Sequence, residues 1–319
     1  MKRQNGTVTN HILDTGQLLT NAHVQTIWAN AVKNYPAIQS ATKRVELPDG
    51  DFVDLEFSAP GTRGTILLLH GLEGGASSCY IKSIFAHLSN RDFQVILLQF
   101  RGCSGSPNRL IRTYHSGHTE DLDYVAQLIF SEFGKLTGAV GYSVGGNVLL
   151  KWLGEADRRA LLERAVAVSV PFDLAKSATR LDQGFSKIYR NKLLTSLQNK
   201  YIQKAQIFEL PCHQQEIRKL DSFWSFDEKL TAPIHGFSDA EDYYRQSSCR
   251  FYLNRISLPT LVIQAKDDPF LPLSAIPHID ELSSYVHLML TDKGGHVGFL
   301  ERSGEQSFLK LTIERFVGG

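Results

Sequence analysis

The hexapeptide Gly141-Tyr142-Ser143-Val144-Gly145-Gly146 lies between a short apolar strand pattern, Gly138-Ala139-Val140, and an apolar helix pattern with Val148, Leu149, Trp152 and Leu153 at helical spacing. A chain with that junction must turn from strand to helix within a few residues. Such a turn lifts one side chain clear of the sheet, and its flanking positions must be small enough for two backbones to pass closely. Gly141, Gly145 and Gly146 give that room. In a chain with 25 glycines, G-x-S-x-G alone is a weak signal, and the strand before and helix after make it specific. The junction predicts a nucleophile elbow with Ser143 at its tip.

The surrounding pattern tells what sheet the elbow belongs to. Lys43 to Leu47 and Phe52 to Phe57 alternate on either side of Pro48-Asp49-Gly50-Asp51, which predicts an antiparallel hairpin. Thr65 to Leu69, Phe93 to Phe100, Gly138 to Tyr142, Ala165 to Val170, Pro259 to Gln264 and His287 to Leu290 are apolar on both faces, as strands inside a parallel sheet are. Helical patterns fall at Tyr80 to Asn90, Glu120 to Phe133, Val144 to Leu153, Ala275 to Leu282 and Glu305 to Phe316. The expected fold class is α/β: a mostly parallel sheet with helices on both faces, entered through a hairpin. The first forty residues read as an irregular arm with one short helix at Val24 to Asn30.

From Asp173 to Tyr244 the strand signals stop. We expect residues 173–244 to form a helical cap, inserted into a single core domain made of 1–172 and 245–319. Leu181, Phe185, Ile188, Leu193, Leu197 and Tyr201 predict an amphipathic helix or a pair of helices, with Lys176, Arg180, Lys187, Arg190, Lys192 and Lys200 on a basic outer face. Solvated lysines over a packed cap are the simpler reading, and peripheral membrane contact through the cap, or a phosphate-binding face, is the alternative.

A net charge of +1, with 42% hydrophobic and 21% charged residues, supplies no field to gather nucleic acid. MKRQNGTVTN has no apolar run behind its basic residues, and no later segment is long enough to span a bilayer. Cys79, Cys103, Cys212 and Cys249 are scattered without a C-x-x-C pair. The expectation is a cytoplasmic protein with reduced thiols and no integral membrane segment.

A serine hydroxyl needs an imidazole to take its proton and a carboxylate to orient the imidazole. His296, in Lys293-Gly294-Gly295-His296-Val297-Gly298 after the last strand pattern, is placed to reach Ser143, because groups at the carboxyl ends of parallel strands converge on one crevice. Asp268 is the preferred acid, in Asp267-Asp268-Pro269-Phe270-Leu271-Pro272, with Asp267 and Asp173 as alternatives. The backbone N–H groups of Val144 and of Leu72, in His70-Gly71-Leu72-Glu73-Gly74-Gly75, are expected to form an oxyanion hole. His70 reads as a structural hydrogen-bonder. His115 and His118 beside Glu120 and Asp121 are a weak metal signal, better explained by Thr119 capping a helix with acids in its first turn. Glu301, five residues after His296, approaches the H-x4-D spacing of some acyltransferases.

With these residues assembled, the chain resembles the YheT-like branch of the α/β-hydrolase superfamily, a group of esterases that includes plant EMB8-like proteins and animal lipid-hydrolase relatives. Asn21-Ala22-His23-Val24-Gln25-Thr26, His70-Gly71-Leu72-Glu73-Gly74, Arg101-Gly102-Cys103-Ser104-Gly105, Tyr114-His115-Ser116-Gly117, His235-Gly236-Phe237 and Asp267-Asp268-Pro269-Phe270 carry the resemblance over almost the whole chain. It implies Ser143 as nucleophile, Asp268 as acid and His296 as base, acting on carboxylic esters of short- to medium-chain acyl groups or acylglycerols. The expected activity is that of a serine carboxylesterase working on a small-molecule or lipid ester without metal or organic cofactor. Phe223, Trp224, Phe226 and the Leu181 to Tyr201 face are the expected acyl-pocket walls. A thioesterase, an acyltransferase or an idle ligand-binding relative on the same scaffold are the alternatives.

Overall fold

A computed structural model describes residues 5–17, 19–29, 35 and 37–319, and all that follows concerns these. Their strands are β1 (Thr7–His11), β2 (Ala41–Glu46), β3 (Phe52–Phe57), β4 (Thr65–Leu69), β5 (Gln94–Gln99), β6 (Leu136–Tyr142), β7 (Leu162–Val168), β8 (Thr260–Ala265) and β9 (Val286–Thr291). They form one sheet in the order β1-β9-β8-β7-β6-β4-β5-β3-β2. The pairs from β1 through β9, β8, β7, β6 and β4 to β5 are parallel. The β2–β3 hairpin joins antiparallel at the far side, through β3 and β5. Its turn is closed by Gly50 N–H to the Leu47 carbonyl (3.0 Å), with Gly50 at φ 87°.

The helices are α1 (Ala22–Ile27), α2 (Cys79–Ser89), α3 (Glu120–Phe133), α4 (Val144–Glu155), α5 (Leu174–Leu181), α6 (Ser186–Lys204), α7 (Gln214–Ile217), α8 (Phe223–Phe226), α9 (Ala232–His235), α10 (Ala240–Ser247) and α11 (Ser307–Val317). Because the central strands are apolar on both sides, each face needs cover. Ile81, Ile84, Phe85 and Leu88 of α2 and Leu309 and Ile313 of α11 bury one face. Leu122, Val125 and Ile129 of α3 and Val148, Leu149 and Trp152 of α4 bury the other. Helices α5 to α10 all lie between β7 and β8 in the chain, and they gather apolar side chains of their own. No described helix is long and apolar enough to cross a membrane.

Several expectations need correction. The amino-terminal arm is not wholly irregular: β1 pairs with β9, and Thr7 and Thr9 reach the two ring nitrogens of His287 (2.6 and 2.9 Å). This strand is largely exposed, so it carries no apolar run that would mark it. The short helix is α1, and Asn30 of the expected range lies outside the described residues. Ala275 to Leu282 is not an α-helix. Two 3-10 turns, Leu273–Ala275 and Ile279–Glu281, flank an extended Ile276 (φ −66°, ψ 129°), since Pro277 disfavours the helical region for the residue before it. Thr119 does not cap α3 with its side chain, and its hydroxyl donates to Glu155 Oε2 instead (2.7 Å).

The amphipathic stretch is the pair α5 and α6, broken near Gly184, which sits at φ 53°. Phe185 and Ile188 are exposed, against expectation: Phe185 is the residue ahead of α6, and Ile188, nine residues before Leu197, lies on the opposite side of that helix. Nor are all the basic residues on an outer face: Lys200 is turned inward to Glu73 (2.6 Å), and Arg190 to Asp182 (2.7 Å).

Candidate active site

Strand β6 ends at Tyr142 and α4 begins at Val144, leaving Ser143 alone to make the turn. It does so at φ 52° and ψ −120°, in the left-handed half of backbone space that costs a β-carbon about 1 kcal/mol or more. The Ser143 N–H still donates to Val168 of β7 (2.8 Å), so the sheet holds one side of the turn. The glycines make the other side possible. A β-carbon on Gly141 would stand 2.5 Å from the Gly145 carbonyl oxygen, and one on Gly145 would collide with the His70 carbonyl.

His296 follows β9 in a loop with Gly294, Gly295, Val297 and Phe299 all at positive φ. The described contacts over-determine that conformation: His296 N–H donates to Thr26 Oγ1 (2.9 Å), Val297 N–H to Ser169 Oγ (3.0 Å) and Gly295 N–H to Asp267 Oδ1 (3.0 Å). Gln25 of α1 accepts from Leu300 N–H and donates to the Leu300 carbonyl (2.7 and 2.9 Å). Held there, His296 places Nε2 2.9 Å from Ser143 Oγ and Nδ1 2.9 Å from Asp268 Oδ2. Asp268, 4% exposed, also accepts from Gln264 Nε2 (3.0 Å) and from Phe270 N–H (2.8 Å). The structure thus brings Ser143, His296 and Asp268 into one hydrogen-bonded line.

The alternative acids have other partners. Asp267 faces the Gly295 amide, and burial raises its carboxyl above the usual range. Asp173 caps α5 through the Lys176 N–H (3.1 Å) and pairs with the Lys176 ammonium (3.1 Å). Glu301 accepts the Phe308 N–H (2.7 Å), away from the serine line. His70 donates from Nδ1 to the Gly71 carbonyl (2.7 Å) and accepts from Phe100 N–H (3.0 Å), which fixes its tautomer. Burial pushes it down to about 4. His115 and His118 stack face to face, 5.3 Å apart, and His235 packs on His115 at 4.6 Å.

Leu72 and Val144 both line the cavity over Ser143, and among the described residues neither of their N–H groups has a protein acceptor. The cavity opens to solvent, and its empty space together with the solvent at its mouth amounts to about 870 Å³. Its walls are mainly apolar, from Val170 and Phe270 of the strand-end loops and from Leu174, Leu181, Leu197 and Tyr201 of α5 and α6. Phe223 and Phe226, one turn apart on α8, also line it. Trp224 does not: it projects off the same turn, packs edge-on against Tyr244 (4.7 Å, 87°) and donates its indole N–H to Thr179 Oγ1 (3.1 Å).

Sequence reasoning gave no role to Asp227 or Phe270. Asp227 is a buried carboxyl in the cavity wall, accepting from Thr231 Oγ1 (2.6 Å) and Tyr244 OH (2.7 Å), and burial pushes it up to about 6. Phe270 stacks on His296. The only sequence signal for Phe270 was its place in the Asp267-Asp268-Pro269-Phe270 string, and Asp227 had none.

Comparison with known proteins identifies the fold and the family. The profile of the family described as alpha/beta hydrolase fold matches residues 64–303. The protein YheT of Escherichia coli (strain K12) is 39% identical over 288 residues, 88% of this chain and 85% of that protein. The monoacylglycerol lipase of Saccharomyces cerevisiae is 29% identical over 79% of this chain and 59% of its own length. Among solved structures, the Pyrococcus furiosus esterase Pf2001 shares the fold over 96% of this chain and 97% of its own, at a TM-score of 0.59 and 16% identity. The chain belongs to the α/β-hydrolase fold family, in the YheT-like branch of carboxylic ester hydrolases.

Proposed function

We propose that the protein is a serine carboxylesterase that cleaves short- to medium-chain acyl esters or acylglycerols through an acyl-enzyme. The observation that carries this reading is the line Ser143–His296–Asp268 at the base of a mainly apolar cavity. Ser143 Oγ attacks the ester carbonyl carbon while its proton passes to His296 Nε2, and Asp268 holds Nδ1–H and stabilises the imidazolium. The carbonyl oxygen, now an oxyanion, receives the Leu72 and Val144 N–H groups. The carbon–oxygen bond to the leaving alcohol breaks, and that alkoxide takes the proton from His296. Water then repeats the sequence on the acyl-enzyme, releasing the acid and restoring Ser143.

In this reading residues 173–244 form a cap over a core of 1–172 and 245–319, and the apolar side chains of α5, α6 and α8 receive the acyl chain. Phe185 and Ile188, exposed beside Lys187, give the cap a spot for peripheral contact with a lipid surface. Co-sedimentation with anionic liposomes at low salt checks that contact, and its absence removes it. Four scattered cysteines, none bonded to another, support work in the cytoplasm.

The test is labelling by a fluorophosphonate with the adduct located by mass spectrometry, alongside a panel of p-nitrophenyl esters of rising chain length. The reading expects an adduct on Ser143 that disappears in Ser143→Ala and His296→Ala. A folded wild-type protein that takes no label and cleaves no ester overturns it.

A further inference from the structure

Leu72 is the middle of three successive amides, and the two on either side are tied to tyrosine hydroxyls. Gly71 N–H donates to Tyr80 OH (2.8 Å) and Glu73 N–H to Tyr114 OH (2.7 Å). Two fixed neighbours leave the intervening peptide little freedom, and its N–H is the one left for a ligand. Glu73 itself sits at φ 53°, a conformation a glutamate does not adopt without restraint.

Two restraints hold it: the turn closed by Gly74 N–H to the Gly71 carbonyl (3.0 Å), and the Glu73 side chain. Its Oε1 accepts from Tyr114 OH (3.0 Å), so the phenol both receives the backbone N–H and donates to the carboxylate of one residue. Tyr114 is buried and stacked on Phe100 (5.1 Å, 12°), which makes it a rigid post. The remaining acceptor capacity goes to α6: Ser196 Oγ donates to Oε2 (2.7 Å) and Lys200 Nζ to Oε1 (2.6 Å). Ser196, Lys200 and Lys204 are four residues apart, hence on one stripe of the helix, and Lys204 Nζ donates to the Asn108 (3.3 Å) and Leu110 carbonyls. The Glu73 and Lys200 side chains are only 8% and 14% exposed. A pair this enclosed contributes little net stability, so geometry is the better account of it.

We propose that Glu73 is a positioning residue: it fixes the oxyanion amide of Leu72, and through Ser196 and Lys200 it makes that amide depend on the seating of α6. The inference rests on the esterase reading. When α6 is seated, Glu73 is held in its left-handed conformation and Leu72 N–H faces the carbonyl oxygen that Ser143 attacks. When α6 lifts, the carboxylate loses two donors, the Glu73–Tyr114 ring loosens, and the amide turns away. Covering the substrate and completing the oxyanion hole are then one event, which suppresses turnover in an open, wet site.

The experiment compares wild type with Glu73→Gln, Lys200→Met, Lys200→Arg and Ser196→Ala, the last an exposed hydroxyl whose loss does not threaten folding. For each, kcat and KM on a p-nitrophenyl ester, the affinity for a trifluoromethyl ketone that mimics the tetrahedral adduct, and the thermal midpoint are measured. Misplacing one oxyanion donor should lower kcat about 10- to 100-fold in Glu73→Gln and Lys200→Met, with ketone affinity falling in parallel and KM within about twofold. Lys200→Arg should recover most of the loss, and Ser196→Ala should lower kcat about threefold with an unchanged thermal midpoint. Unchanged kcat in folded variants, a raised KM at constant kcat, or full ketone affinity overturns the proposal, and if Glu73→Gln or Lys200→Met fails to fold, Ser196→Ala alone decides it. A wild type that neither cleaves esters nor labels at Ser143 defeats the esterase reading and this proposal with it. A Ser143-dependent wild type with an unaffected Glu73→Gln defeats the proposal alone.

Discussion

The Phe270 ring lies flat on the His296 imidazole, centroids 3.9 Å apart and planes 2° from parallel. The same residue donates its backbone N–H to Asp268 Oδ1 and packs against Tyr189 (5.0 Å), so it touches both the acid and the base. Stacking resists rotation of the imidazole about its Cβ–Cγ bond, which keeps Nε2 aimed at Ser143.

Phe270→Ala should therefore lower kcat about tenfold by loosening the imidazole, while the main-chain bond to Asp268 persists. Steady-state kinetics on a p-nitrophenyl ester check this. An unchanged kcat would show that the histidine loop alone suffices to aim the ring.

The two neighbouring aspartates should differ sharply. Asp268→Asn removes the acceptor that fixes the His296 tautomer and should lower kcat about 10³- to 10⁴-fold. Asp267→Asn keeps an oxygen for the Gly295 N–H and relieves a half-buried carboxylate, so its effect on kcat should stay under about tenfold. Equal losses in the two variants would move the acid's role to the pair.

Much of the sheet was legible because burial on both faces leaves continuous apolar runs, as at Leu67 to Leu69 and Ala165 to Val168. The strand-to-helix turn at Ser143 was legible because glycines are required where backbones touch. What stayed hidden followed weaker or longer-range causes. β1 is an exposed edge strand whose partner, His287, is 280 residues away from Thr7 in sequence. A proline at 277 cancelled a helical pattern, and a break near Gly184 split the amphipathic stretch so that one apolar face did not run through Phe185 and Ile188. The cavity wall was the least readable part: Tyr114, Asp227 and Phe270 come from three separate stretches, and their convergence is a property of the packing.

Acid should destabilise the fold partly through His235. It faces His115, His118, Arg112, Arg101 and Glu120, its ring nitrogens have no described partner, and burial pushes it down to about 3. A histidine depressed on folding binds fewer protons in the native state, so its contribution is complete above its unfolded value of 6.5 and is lost as pH falls toward 3. His235→Phe, which keeps a ring against His115, should match wild type at pH 8 and exceed it at pH 5 by about 1–2 kcal/mol. Urea midpoints at the two pH values measure this, and parallel profiles would contradict it.

Chain-length preference should separate the aromatic residues of α8. Phe226→Ala enlarges the cavity and should shift the best p-nitrophenyl ester toward longer acyl chains, whereas Trp224→Ala should leave the profile unchanged. A shift caused by Trp224→Ala would place the indole in the substrate's path.

The grip of α1 on the histidine loop bears on how the chain can be divided. Thr26 holds the His296 amide and Gln25 clasps Leu300, yet both precede residue 64, where the family profile begins. A fragment cut to the shared segment would retain every residue of the serine line and lose the scaffold that aims its base. The part of the chain that aims His296 therefore extends beyond the part matched by the wider family, and the amino-terminal arm belongs to the scaffold that positions the base.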